Sequence, residues 1–488
     1  MTKQEAVIKY IEDNYLQFNR LRHDVVSDKL QVRVAHRLED AALSGYSLEF
    51  KGGEYWREMT KHDINSIVCH CAQECDVNIT SREVMTALQS DLIPDVHPLR
   101  EYILSLPPFT PDQPDWIDFV ASQVRIKPLP ESATDRPKGL SERTSCCQTT
   151  TLLDRPYGAD RPMNLTGEAD LTVSEANGLT SNSSQCERSE ADRLWRTCFK
   201  KWFVAMVASW MKDEVVNHQV LVLIGKQGIY KTTWLEHLIP PHLRAYACKL
   251  ANSADLNKDE RLRIAEFGLI SLDEIDSMNS RELNQLKSII TATDVNERAA
   301  YAYTKERRVR LASFCASGNR RDFLTDITGN RRWLPFEVES IQSPFTTILP
   351  YERMYAQAWA LAQDPFFSYW FDLDEIEVLE QHNQHFRDES NEEQLLAILF
   401  DIPAEGRGEF MTTAQISERL VTYGNIKQPM ALCRLGTVLG KAGFRAVTRN
   451  AGSGRARGWI VYQRDNDEIK ALRRLLKDET SQLDTAIY

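Results

Sequence analysis

The chain has 488 residues, 42% of them hydrophobic and 26% charged, with 59 Lys and Arg against 70 Asp and Glu. At about 150 residues per domain, this length provides for roughly three structural units. The formal net charge of −11 excludes a chain that coats nucleic acid through uniform positive charge, but leaves room for a basic patch on an acidic body.

The start, MTKQEAVIKYIEDNY, has no apolar h-region, so no secretory signal is visible. No apolar run approaches the about 20 residues of a membrane-spanning helix. The ten cysteines are scattered, which points to free thiols in a reducing cytoplasm. Residues 1–127 read as mainly helical. Ile8, Ile11, Tyr15 and Phe18 recur at three- and four-residue spacing and predict one apolar face. A small hairpin is expected over Leu48–Tyr55. Two helices follow it, the second with Ser81 as N-cap. Cys69, His70, Cys71 and Cys75 fall within the first of these two helices, where Cys69 and Cys71 would point to different sides, a poor arrangement for zinc.

Residues 128–190 are rich in Ser, Thr, Pro, Gly and Asp, lack periodicity and read as a disordered linker. Residues 191–345 alternate helical and strand-like patterns, the sign of an α/β unit, and open with an apolar helix carrying Trp195, Trp202 and Trp210. A helical connector over 346–393 contains the acidic stretch from Asp372 to Glu393. Residues 394–466 form a further unit, and 467–488 a tail.

The most informative stretch is VLVLIGKQGIYKTTWLEHL, a buried strand ending at Gly225, a short loop, and a helix opened by Lys231, Thr232 and Thr233. Phosphate binding needs this order. Glycines such as Gly225 and Gly228 let backbone N–H groups approach the anion, the lysine neutralises it, and the Thr232 hydroxyl ligates Mg²⁺. The general pattern G-x-x-x-x-G-K-[ST] has glycine where this chain has Tyr230. A strand–turn–helix with an incidental lysine is the bland alternative.

About 40 residues on, LISLDEID presents Asp273 and Glu274 at a strand end. Asp273 suits a Mg²⁺ shell, and Glu274 the activation of an attacking water. RLASFCASGN then brings Asn319 to another strand end, where an amide positions water, or merely occupies a turn. Arg331 and Arg332 precede a further strand and are either surface arginines or a fork donated across a subunit boundary.

In this order and spacing, VLVLIGKQGIYKTTWL, LISLDEID, LKSIITATDVNERAAYAY, FCASGN and TGNRRWLPFEV resemble the virulence-associated protein E family. These are ATPases of phages, plasmids and integrated mobile elements, related to superfamily 3 helicases. The resemblance covers roughly Ala191 to Val338, and HPLREYILSLPPF at His97–Phe109 looks like the helical region preceding the domain. It implies an AAA+/superfamily 3 helicase-like P-loop core that binds ATP and Mg²⁺ and forms a homo-oligomeric ring. By the same resemblance, Asn319 is the sensor, Arg331 or Arg332 the finger from a neighbouring subunit, and Arg298 and Tyr301 match an Arg and an aromatic of the family. Lys305, Arg307, Arg308 and Arg310 become candidates for gripping a nucleic-acid backbone in a central channel. Any primase would be a separate chain.

In the last unit, no acid lies between Glu418 and Asp465, whereas Lys427, Arg434, Lys441, Arg445, Arg449, Arg455, Arg457 and Arg464 do. Two helices, a strand, a glycine-rich tip and a second strand form a winged-helix pattern. Its second helix would enter a DNA groove and its wing would touch phosphates, unless the module serves only protein contacts. The expected function is an ATP-dependent DNA helicase or translocase in mobile-element replication. The alternatives are a nucleotide-gated DNA-binding switch and a cytosolic defence ATPase.

Overall fold

The computed structural model describes residues 2–35, 54–128, 190–250, 258–297, 306–324, 330–387, 390–403, 408–427, 429–451, 454–472 and 474. The fold is mixed α/β and divides into two compact units, Met1–Arg321 with Arg331–Gln381, and Asp322–Asn330 with His382–Tyr488. The expected hairpin before Tyr55 and the linker fall on segments 36–53 and 129–189, outside the described residues. No described helix is long and apolar enough to cross a membrane.

The first unit opens with α1 (Lys3–Ile11), closed at its N-terminus by a reciprocal Thr2–Glu5 capping box. Its buried face is Ala6, Val7, Tyr10 and Ile11, and of the expected row Ile11 is buried, Ile8 and Tyr15 pack partly buried against the same core, and Phe18 does not join it. A π-helical turn over Glu12–Leu16 adds a residue to the helical repeat, rotating the following positions and leaving Phe18 58% exposed. The region is not purely helical. Strands β1 (Leu21–Asp24), β2 (Lys29–Ala35) and β3 (Glu54–Glu58) pair antiparallel, and β4 (Asp95–Val96) joins β1 in parallel. Between β3 and β4 run α2 (Lys61–Cys75) and α3 (Ser81–Leu88). Thr80, one residue before the expected cap, closes α3 through a box with Glu83. Helix α2 turns Cys69 outward and buries Cys71.

Helices α4 (Pro98–Ser105) and α5 (Trp116–Ala121) and strand β5 (Val124–Ile126) do not belong with this front module. Leu99, Ile103, Ile117, Val120 and Val124 share one core with Trp195, Phe199 and Trp202, so the expected boundary at 127 cuts through a domain. The sequence hides this because the partner of β5 lies more than 200 residues away. Strand β5 alternates buried, exposed, buried, and Lys127 N–H continues the ladder onto the Glu337 carbonyl at 2.8 Å.

The centre of that core is α6 (Glu190–Met211), apolar almost all round and therefore surrounded by other elements. Its three tryptophans are fully buried. Each indole N–H is satisfied by a carbonyl of a packed neighbour: Ala121 at 3.0 Å, Phe314 at 3.0 Å and Gly268 at 3.1 Å. The chain continues through β6 (Val220–Ile224), α7 (Lys231–His237), β7 (Ala247–Leu250), α8 (Lys258–Glu266), β8 (Leu269–Leu272) and α9 (Ser280–Thr291). The hairpin β9 (Asp294–Glu297) and β10 (Glu306–Val309) comes next, then β11 (Ser313–Gly318), β12 (Trp333–Ile341), α10 (Tyr351–Gln363) and α11 (Leu373–Asn383).

These strands form a six-stranded sheet in the order β5-β12-β6-β11-β8-β7, parallel except for β5. All five residues of β6 and all six of β11 are buried, the signature of parallel strands covered on both faces. Because β11 sits between β6 and β8, the chain ends following those three strands meet at one edge of the sheet. Register pairs Gly318 with Ile224 and Ala316 with Leu272.

The second unit contains α12 (Asn391–Leu399), β13 (Phe400–Asp401), β14 (Glu409–Thr412), α13 (Thr413–Gly424), α14 (Leu432–Lys441), and the hairpin β15 (Arg445–Ala451) and β16 (Gly454–Gln463). Strand β16 pairs antiparallel with β13, β14 and β15. Leu396, Ile416, Leu420, Leu435, Leu439, Trp459 and Val461 form its core.

Candidate functional site

Ligands in open parallel sheets sit beyond the carboxyl ends of the strands, where the strand order reverses. Here that position lies at the ends of β6, β11 and β8, and it gathers several of the candidate residues. Lys231 is buried at the start of α7, its ammonium donating to the carbonyls of Gly225 and Lys226, both at 2.7 Å, and to Asn319 Oδ1 at 3.3 Å. Burial lowers its pKa, an effect the charges of Asp276 and Asp273 oppose. The Thr232 hydroxyl donates to Asp273 Oδ1 at 3.1 Å and lies 2.9 Å from Ser317 Oγ, which itself donates to the same carboxylate oxygen at 2.7 Å. Burial pushes the Asp273 carboxyl up. Hydrogen bonds from Lys249, Ser317 and Thr232, with the Lys249 charge, outweigh that and hold it below the usual value. Thr233 follows on α7, half-buried, and its carbonyl accepts from His237 Nδ1 at 2.7 Å; its hydroxyl is not part of the cluster.

The loop between β6 and α7 depends on local backbone chemistry. A Cβ on Gly225 would stand 2.8 Å from the Val338 carbonyl oxygen, so only glycine fits there. Gly228 has φ +85. Tyr230, which replaces the expected glycine, also adopts the left-handed region at φ 67, ψ 16. The sequence departure therefore leaves the glycine-type conformation in place, at a local cost of about 1–2 kcal/mol for a side-chain-bearing residue. The Tyr230 ring meets Phe345 edge-on at 6.2 Å. Glu274, the residue after Asp273, is likewise left-handed at φ 52, and it is exposed. Among the described residues no hydrogen bond or ion pair engages its carboxylate, unlike that of Asp273.

Three members of this cluster escaped the sequence reading. Ser317 is two residues before Asn319 and was readable only as a small strand residue. Asp276 accepts from the backbone N–H groups of Asn319 at 3.1 Å and Arg320 at 3.2 Å, fixing the end of β11. Its sequence signal was the third acid of LDEID. Lys249, on β7, pairs with Asp273 Oδ2 at 2.9 Å, and no motif marks it.

Arg331 and Arg332 are not brought to the cluster. They precede Trp333, which pairs with Val220, the first residue of β6, whereas the cluster begins after Ile224, the last. That separation is on the order of 15 Å at about 3.3 Å per strand residue.

The candidate channel cations are mostly engaged within the chain. Lys305, with Arg298 and Tyr301, lies outside the described residues. Arg307, on β10, pairs with Asp294 across the hairpin. Arg308 reaches Asp28 in the β1–β2 turn at 2.6 Å and Glu266 at 3.7 Å. Arg310 is a correction. It is 1% exposed and donates to the carbonyls of Asn217, Ile289, Ile290, Ala292 and Ala312, closing the end of α9, so it has no surface to offer a nucleic acid. Burial brings its pKa down to about 9, which leaves it charged at neutral pH.

In the second unit, residues 419–464 hold nine Lys and Arg and no acid. Arg464 is used internally, capping α12 through the carbonyls of Ala397, Ile398 and Phe400 and pairing with Asp401 at 2.7 Å. Arg434, Lys441, Arg445, Arg449, Arg455 and Arg457 are exposed. The β15–β16 register divides the last four between two faces. Thr448 opposes Arg457 and Asn450 opposes Arg455, on the face that also carries Trp459. That indole lies against Gly436 and Gly440 of α14, so Arg455 and Arg457 share a face with the helix. Arg445 and Arg449 are on the reverse face, where the Arg449 guanidinium stacks 5.1 Å from the Phe410 ring centroid.

Two solved structures align with most of the chain at low identity and low structural similarity. The A form apo structure of the NrS-1 C-terminal region covers 91% of this chain and 98% of its own, at 10% identity and a TM-score of 0.41. Another apo structure of that region covers 94% and 99%, at 11% identity and a TM-score of 0.38. No curated protein matches the chain by sequence. Residues 171–394 match the virulence-associated protein E-like domain.

Proposed function

We propose that the chain is a Mg²⁺-dependent P-loop ATPase that acts as a DNA helicase or translocase in replication of a mobile element. The observation carrying this reading is the convergence of Lys231, Thr232, Asp273, Ser317 and Asn319 at the ends of three adjacent parallel strands. The residues fit the groups they would hold. Gly225, where a Cβ would meet the Val338 carbonyl, lets the loop pack closely at the end of β6 and enter the phosphate-type turn. Thr232 and Asp273 supply the hard oxygen ligands Mg²⁺ prefers, and the bound ion would neutralise charge on the β- and γ-phosphates.

Lys231 neutralises phosphate charge once its ammonium leaves the two loop carbonyls. Glu274, whose carboxylate is unengaged among the described residues, orients the attacking water and accepts its proton, while the Asn319 amide fixes that water's position. Arg331 and Arg332 stand too far from the cluster to act within one chain. They suit a site completed by a neighbouring subunit of a homo-oligomeric ring. In the second unit, α13, α14 and the β15–β16 hairpin have the order of a winged helix. Exposed arginines in a stretch of sequence that holds no acid suit contacts with DNA phosphates. The domain match at 171–394 supports the replication context, and any primase activity would come from a separate chain.

The test is Mg²⁺-dependent ATP hydrolysis with and without single-stranded DNA, alongside strand displacement. Glu274→Gln is expected to lower kcat by about 100-fold or more with nucleotide binding retained, and Lys231→Ala to remove nucleotide binding. Turnover close to the parent rate in either variant overturns the site. Turnover without strand displacement, together with tight duplex binding, would identify a nucleotide-gated switch instead.

A further inference from the structure

The Asp273 carboxylate has its two oxygens committed differently. Oδ1 accepts from two neutral hydroxyls, Thr232 and Ser317. Oδ2 accepts from the ammonium of Lys249 at 2.9 Å. The same ammonium lies 3.8 Å from Glu236 Oε1 on α7, and its pKa is raised, first by the Asp273 bond and then by the charges of Asp273, Glu236 and Glu274. The placement is built into the sheet. Lys249 pairs in register with Ser271, and the Asp273 N–H donates to the Leu250 carbonyl at 3.1 Å, so β7 holds both the acid's backbone and its counter-charge.

A divalent cation that takes Asp273 as a ligand needs carboxylate oxygen at about 2.1 Å. It cannot share Oδ2 with an ammonium on the same side, because two cations within a few ångströms repel strongly where water is partly excluded. The hydroxyl bonds on Oδ1 are no such obstacle. A Thr or Ser hydroxyl that donates to the carboxylate keeps its lone pairs free for the metal.

We propose that Lys249 is the resident counter-ion of the metal site: it occupies Oδ2 of the Asp273 carboxylate until an incoming divalent cation displaces it towards Glu236. The inference rests on the reading of Asp273 as a metal ligand. It assigns Lys249 a competitive role, so its removal strengthens metal binding where loss of a purely structural residue would weaken it. An ion pair this exposed is a modest competitor, which sets the expected change at a few-fold.

The experiment is titration of the full chain with Mn²⁺ alone, bound metal being read from the loss of the free-Mn²⁺ electron paramagnetic resonance signal. Lys249→Met is expected to bind Mn²⁺ about threefold more tightly than the parent. Lys249→Arg, which restores the charge and the hydrogen bond, is expected to return to the parent value. Thermal unfolding of each variant checks that the sheet is intact. Unchanged or weaker Mn²⁺ binding by folded Lys249→Met overturns the proposal. Asp273→Asn separates the two levels: retention of Mn²⁺ binding by that variant overturns the metal-ligand reading itself, whatever Lys249→Met does. If Lys249→Met does not fold, Lys249→Gln replaces it with the same expected sign.

Discussion

The chain has two arginine-bearing hairpins, and they differ in what surrounds their charges. In β9–β10, Arg307 faces Asp294, Arg308 bridges to Asp28 and Glu266, and the adjoining Arg310 is buried among five carbonyls. In β15–β16, Arg445, Arg455 and Arg457 are exposed within a stretch that contains no acid, and Arg449 covers an aromatic ring. A run of basic residues is therefore not a basic surface until the acids supplied by distant segments are known. The first hairpin holds its own unit together, and the second presents charge outward.

The largest effect expected from this contrast is on stability. Arg310→Ala leaves several buried carbonyls unsatisfied and should destabilise the first unit by about 3–5 kcal/mol, read by denaturant unfolding. An unfolding midpoint close to that of the parent would mean Arg310 is not structural, and the contrast would collapse. Next, Arg455→Glu with Arg457→Glu should weaken duplex DNA binding at least about tenfold at 0.1 M salt. The matching neutral pair, Arg455→Ala with Arg457→Ala, should reduce the salt slope by about 2. Arg445→Glu with Arg449→Glu, on the reverse face, should change it less. Equal losses from both pairs would show that the hairpin is not read by one face. The smallest effect is expected from Asp28→Asn, which frees Arg308 from one of its acids. Single-stranded DNA binding should rise about two- to threefold by fluorescence anisotropy. A fall would show that the first hairpin gains from its tether to the β1–β2 turn.

Much of the candidate site was legible from sequence because its signals are local. A buried strand, a glycine, a lysine with two threonines, and later two acids at a strand end lie contiguously along the chain, and each group's role follows from its chemistry. Ser317, Asp276 and Lys249 were not legible, since their importance comes from touching Asp273 or the end of β11 across neighbouring strands. The π-turn after Ile11 carries no composition signal, and beyond it Phe18 leaves the apolar face. The boundary at 127 failed for a related reason. Composition changes where the unpatterned segment begins, but β5 just before it belongs to a sheet completed by β12.

What the sequence by itself determined is the inventory: an acidic average of −11, a stretch of nine cations without an acid, a phosphate-type loop and an acid pair. Only the tertiary structure decided which charges are free to act. Strand order placed β11 between β6 and β8 and so set Lys231, Asn319 and Asp273 side by side. Burial took Arg310 out of reach and the hairpin register sorted four arginines onto two faces. The physical reason is range. Propensity and spacing act over a few residues, whereas desolvation and ion pairing depend on what the fold brings within a few ångströms.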